Sequence, residues 1–95
     1  MLSKEEILDF LKAHKQEFKE KYGVEEIALF GSYVHNRANE KSDIDIIVQM
    51  PSKFDSYYNL KEYLEEKFQK KVDLGLKKSL RTLVAKEIER DIVYV

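Results

Sequence analysis

Apolar residues in the first quarter of the chain recur at helical spacing. Ile7, Leu8, Leu11, Phe18 and Tyr22 fall on one stripe, which predicts a helix from about Lys4 to Tyr22 with one buried side. Ser3 followed by Glu6 has the form of a capping box at its start, and Gly23 is placed to end it. The period then changes. Ile27-Ala28-Leu29-Phe30 is a short apolar run stopped by Gly31, the pattern of a buried strand. Tyr33 to Asn39 predicts a short helix, running into a polar loop over Asn36 to Ser42. Asp43-Ile44-Asp45-Ile46-Ile47-Val48 is rich in β-branched residues and predicts a strand, which Pro51 follows and stops. Tyr57, Leu60, Leu64 and Phe68 return to a spacing of three and four, a second long helix. Val72-Asp73-Leu74 reads as a short strand stopped at Gly75. Leu80, Leu83, Val84 and Ile88 predict a last helix, and Ile92 to Val95 a last strand. Helices alternating with strands give an α/β or α+β domain built on a single sheet. The pattern leaves the strand directions open.

Composition narrows the class. The chain has 95 residues, enough for one core, and residues 1–95 are expected to form one domain. Seventeen Lys and Arg stand against 18 Asp and Glu, for a formal net charge of −1. That balance argues against direct nucleic-acid binding through a basic surface and against an acidic tail. There is no Cys, so disulfides, thiolate zinc sites and a cysteine nucleophile are excluded. No apolar run approaches the ~20 residues of a membrane span. The opening MLSKEEILDF carries acids at once and has no signal-peptide core, so a cytoplasmic location is expected.

The residues with chemistry lie between the first two strands. Gly31-Ser32 is followed, ten residues on, by Asp43-Ile44-Asp45. Alternation on a strand points Asp43 and Asp45 the same way, about 6.6 Å apart along the backbone, and turns Ile44 and Ile46 to the core. Two adjacent carboxylates repel unless a cation or solvent intervenes. Their hard oxygens suit Mg²⁺ or Mn²⁺. Asp73, a lone acid between Val72 and Leu74, is a third candidate if its strand lies alongside. Three such acids can bridge two divalent ions roughly 4 Å apart, the arrangement for in-line displacement at phosphorus. Gly31 at a strand end lets backbone N–H groups approach an anion closely. A helix starting near Tyr33 would add further donors, and the Ser32 hydroxyl one more. Nucleotide phosphates would then lie between the glycine turn and the metals.

These residues resemble the nucleotidyltransferase signature of the DNA polymerase β superfamily, Gly-Ser, ten residues, Asp-x-Asp. Here it reads GSYVHNRANEKSDID, with a later strand aspartate in KVDLGL. Four fixed positions at ~5–7% usage each arise by chance in such a chain about once in a thousand. The resemblance extends to the minimal nucleotidyltransferases, and covers the whole chain. It implies a polymerase β palm-like domain with a mixed β-sheet covered by helices. It implies an antitoxin paired with a HEPN-domain ribonuclease toxin, moving AMP from ATP to a tyrosine of that toxin. By resemblance, Asp43, Asp45 and Asp73 are the catalytic and metal-binding acids, with Asp73 helping to activate the acceptor hydroxyl. Two Mg²⁺ ions are implied, with Mn²⁺ as a substitute, and Gly31 and Ser32 match the nucleotide-phosphate turn. One departure stands out. Many relatives carry a small-Arg-Gly stretch after Gly-Ser, where this chain has Val34-His35-Asn36-Arg37 without the glycine.

Plainer readings exist for each position. Asp43 and Asp45 are also what a protected strand edge carries, and Asp73 what a turn carries. Ser32 suits a cap. Ser42 suits either a phosphate contact or a strand start. Arg37 and Lys41 read as solvated loop charges or phosphate contacts. Asp55 and Asp91 sit at predicted helix boundaries, where Asp caps. His14 reads as a surface residue, and the spacing of His14 and His35 is not that of metal ligands. Tyr57 and Tyr58 fit core and rim packing, or a partner surface. Two alternatives to AMP transfer onto a toxin remain. One is a non-catalytic antitoxin that neutralises its partner by binding. The other is a nucleotidyltransferase acting on an RNA end or a small molecule.

Overall fold

Helix α1 spans Lys4–Tyr22, the range its stripe predicts. The Ser3 hydroxyl accepts the Glu6 N–H at 3.1 Å, which satisfies one of the donors a helix start leaves open. Gly23 ends the helix in the left-handed region at φ 72°. Strand β1 (Glu26–Phe30) follows, then β2 (Ile44–Gln49), helix α2 (Phe54–Phe68), β3 (Val72–Leu76) and β4 (Val93–Tyr94). The computed structural model describes residues 2–35, 38, 39, 41–51, 53–77 and 92–95. The predicted helix over Leu80 to Ile88 lies outside the described residues, as do Arg37 and Asp91.

The strands form one sheet in the order β3-β2-β1-β4. β1 pairs antiparallel with β2 and with β4, whereas β2 and β3 run parallel, joined by α2. The sheet is therefore mixed and the domain is α+β. Alternation sorts its residues cleanly. Ile27 and Leu29 of β1, Ile44, Ile46 and Val48 of β2, and Val72 and Leu74 of β3 turn to one face. There they meet Ile7, Leu11 and Phe18 of α1 and Leu60, Leu64 and Phe68 of α2 in one buried cluster. Each such side chain contributes roughly 1.5–3 kcal/mol when fully buried. The helices thus stabilise one face of the sheet and leave the acids to the other.

Three expectations change. The described residues of Tyr33 to Asn39 do not form the predicted helix, and a single 3₁₀ turn stands at Gly31–Tyr33. The Val34 N–H closes it on the Gly31 carbonyl at 3.1 Å. Further on, local side chains compete with a helix: Asn39 Oδ1 accepts the Lys41 N–H at 2.8 Å, and Ser42 Oγ accepts the Asn39 N–H at 2.9 Å. Gly75 does not stop β3 but sits inside it, opposite Ile47. His14 is half-buried rather than a surface residue. It stacks on Phe10 at 4.1 Å between ring centroids, and its Nδ1–H donates to the Phe10 carbonyl at 2.9 Å. Among the described residues, no helix is long and apolar enough to cross a membrane.

Candidate active site

The register of three strands builds the site. Phe30 of β1 pairs with Asp45 of β2, and Asp45 pairs with Asp73 of β3. Residues paired this way share a face, here the face turned away from the helices. Asp43 immediately precedes β2, two residues before Asp45. Asp45 is half-buried, while Asp43 and Asp73 are exposed. The fold therefore brings all three predicted acids to one end of one face.

Gly31 lies against the middle of this set. Its φ is +80°, a region that side chains with a Cβ rarely enter. A Cβ at Gly31 would stand 3.1 Å from Asp45 Cγ and 3.3 Å from Asp45 Cβ, closer than the carboxylate tolerates. The glycine thus serves twice, turning the chain out of β1 and leaving room for Asp45. Ser32 follows it in the 3₁₀ turn, half-buried. A three-residue turn supplies no helix N-terminus, so the extra donors expected from a helix at Tyr33 are withdrawn. Ser42 has a structural role, because its hydroxyl oxygen holds the loop by accepting from Asn39. Lys41 is exposed on the same loop.

The electrostatics record the crowding. Asp45 is pushed up to about 6 from an ordinary 3.8, first by burial and then by the charges of Asp73 and Asp43. Removing a carboxylate from water disfavours its ionised form, and neighbouring anions add to that. The donor set is all-oxygen and anionic, as Mg²⁺ and Mn²⁺ prefer. Among the described residues, no three acidic or imidazole side chains already converge tightly enough to hold an ion. Fit to a metal therefore rests on the shared face, on the repulsion a cation would relieve, and on the room left by Gly31.

Tyr57 is a participant that the sequence pattern misplaces. Its position on the α2 stripe marks it as packing. In the fold its hydroxyl donates to the Leu74 carbonyl, next to Asp73. Burial pushes the Tyr57 phenol up, with smaller contributions from Tyr58 and Asp73. A tyrosine where the stripe asks only for an aliphatic side chain is the available signal. Asp55 lies exposed in the first turn of α2 and takes no part in the strand pairing. A cavity of about 430 Å³ is lined by Glu25, Gln49, Met50, Pro51 and Lys77. It opens at the far end of β2, roughly 13 Å along the strand from Asp45, and belongs to no part of this site.

A profile described as the nucleotidyltransferase domain matches residues 11–95. The protein adenylyltransferase MntA of Thermococcus cleftensis is 47% identical over 98 residues, covering 100% of this chain and 98% of its own. A solved structure of a minimal nucleotidyltransferase superposes with a TM-score of 0.81 at 21% identity, covering 97% of this chain and 95% of that one. A toxin–antitoxin crystal structure with AMP-PNP gives 0.71 at 24% identity, with 98% and 72% covered. One chain of a solved complex between a tri-AMPylated HEPN toxin from Shewanella oneidensis and its MNT antitoxin gives 0.61 at 22% identity, with 96% and 66% covered. At these identities the structural likenesses speak for the fold.

Proposed function

This chain belongs to the nucleotidyltransferase family and is an enzyme of that class; from that premise we propose that it moves AMP from ATP to a tyrosine hydroxyl of a HEPN-domain toxin in the cytoplasm, and acts as that toxin's antitoxin. The observation that carries the reading is the pairing of Asp45 with Asp73, with Gly31 set against the Asp45 carboxylate. The protein acceptor is supported by the MntA relative, which matches from end to end. The nucleotide and the toxin are supported by two complexes that contain a chain of this fold, a toxin–antitoxin structure with AMP-PNP and an MNT antitoxin bound to its AMPylated HEPN toxin.

In this reading Asp43, Asp45 and Asp73 hold Mg²⁺ between them. When bound, the metal neutralises charge on the polyphosphate and lowers the pKa of the acceptor hydroxyl. The chain's own groups do the rest. Gly31 and Ser32 let backbone N–H groups approach the phosphates, and the Ser32 and Ser42 hydroxyls are side-chain donors offered to them. Asp73 takes the proton of the acceptor tyrosine. The tyrosine oxygen attacks the α-phosphorus, the bond to the bridging β-phosphate oxygen breaks, and pyrophosphate leaves. One AMP is then esterified to the toxin.

Labelled ATP, Mg²⁺, the purified chain and its HEPN partner test this directly. The expected result is label on a tyrosine of the partner and a mass increase of one AMP per event. Replacing Asp43 and Asp45 together by Ala should abolish it, with folding retained because neither faces the core. If that double variant still neutralises the toxin fully, binding rather than catalysis is the mechanism. Label on RNA or on a small molecule, with none on the partner, would overturn the acceptor.

A further inference from the structure

Strand β3 is at the edge of the sheet, paired only with β2 among the described strands. In a parallel pair each residue sends its N–H and C=O to the same side. The Ile44 N–H takes the Lys71 carbonyl at 3.0 Å. Residues 71, 73 and 75 therefore turn their main-chain groups to β2, and Val72, Leu74 and Leu76 turn theirs outward. Outward groups on an edge strand are ordinarily left to solvent, and such edges fray.

Here helix α2 reaches around to them. The Glu65 carboxylate accepts the Val72 N–H at 3.0 Å. The Tyr57 hydroxyl donates to the Leu74 carbonyl. The polarity of each partner is matched: an acceptor meets the N–H and a donor meets the C=O. The two bonds fall on the residues immediately before and after Asp73. Asp73 itself is bonded through its backbone to β2, so the strand is held from both sides at this rung.

We infer that Tyr57 and Glu65 are positioning residues, which clamp the edge strand on either side of Asp73 and keep its carboxylate in register with Asp45. The clamp rests on the reading of Asp73 as a site residue. Tyr57 suits this role because its ring packs edge-on against Tyr58 at 5.2 Å between centroids, which fixes the direction of the hydroxyl. Glu65 is half-buried along the same edge. Misplacement of a reacting group by ~1 Å costs up to ~100-fold in rate, so a frayed β3 would be felt in turnover more than in binding. ATP affinity should depend instead on the Gly31 turn, which the clamp does not touch.

Three substitutions in the full chain test it. Tyr57→Phe removes the hydroxyl and keeps the ring. Glu65→Ala removes the acceptor. Glu65→Gln keeps an amide oxygen that accepts the Val72 N–H. In the Tyr57→Phe/Glu65→Ala double variant, amide hydrogen exchange over Val72–Leu76 should quicken about tenfold. The kcat for AMP transfer should fall ~10–100-fold, with the KM for ATP held within about twofold. Glu65→Gln should keep both near wild type. If the double variant does not fold, Tyr57→Phe alone carries the same measurements. A folded double variant with wild-type exchange and wild-type kcat overturns the clamp, as does an equal loss in Glu65→Gln. Should the wild type transfer no AMP, the functional reading fails, and exchange alone decides. Protection lost in the double variant and kept in Glu65→Gln upholds the clamp; unchanged protection ends it.

Discussion

Asp45 shows what a single residue gives up to serve a site. Its carboxyl titrates at about 6 instead of 3.8. A folded-state value raised above the unfolded one means that the folded protein holds the proton more tightly. Below about pH 4 both states are protonated and there is no penalty. Stability then falls as the pH rises from about 4 to about 6, and the full penalty remains above that. Screening on a half-buried side chain holds it to about 1 kcal/mol. Asp45→Asn should therefore raise the melting temperature at pH 8, with the gain vanishing below about pH 4, while AMP transfer is lost. Thermal melts across pH, read beside the transfer assay, check both halves. Gly31 makes the complementary case. Gly31→Ala combines a left-handed φ with a Cβ driven onto Asp45. It should cost about 1–3 kcal/mol in denaturant unfolding and remove most transfer, because the atom that yields is the carboxylate.

Elements form where local signals and tertiary packing agree. Helix α1 is legible to the residue, because the Ser3 cap, the apolar stripe and Gly23 all point the same way. Ser3→Ala should destabilise the fold by about 1 kcal/mol through the lost cap and leave AMP transfer at wild-type rate, since α1 lies on the face opposite the acids. Chemical denaturation and the transfer assay test the two halves separately. The stretch after Gly31 reads as a helix because its spacing permits one. The Asn39 and Ser42 side chains bond to nearby backbone instead, and no spacing rule weighs that competition. Gly75 reads as a stop for a similar reason. A glycine inside a paired strand and one that ends it look alike until the partner strand is known.

At the scale of the whole molecule the sheet divides the labour. One face carries the cluster that α1 and α2 cover, and the other carries Asp43, Asp45 and Asp73. Stability and chemistry therefore respond to different treatments. Chelation by EDTA should abolish AMP transfer while leaving the far-UV circular dichroism unchanged, because the core holds the fold by packing. Added Mg²⁺ should stabilise the fold by about RT ln(1 + [Mg²⁺]/Kd), which raises the melting temperature at pH 8 by about a few degrees, and should do so much less in Asp45→Asn. An equal rise in both proteins would place the ion elsewhere.

The two long helices, the four strands in their order, the core stripes and the three acids are present in the linear pattern, because burial imposes periods of two and 3.6. The pattern puts Asp43 and Asp45 on one face by alternation alone. It leaves open whether Asp73 stands beside them, since that depends on β3 running parallel to β2 in a register that pairs residue 73 with residue 45. It also gives no sign that Gly31 lies against Asp45, or that Tyr57 and Glu65 hold the strand around Asp73. Those relations join residues 14 to 28 positions apart for the acids and the glycine, and 7 and 17 for the edge. Contacts at such separations are fixed by how strands pair and helices dock, and only the assembled sheet decides them.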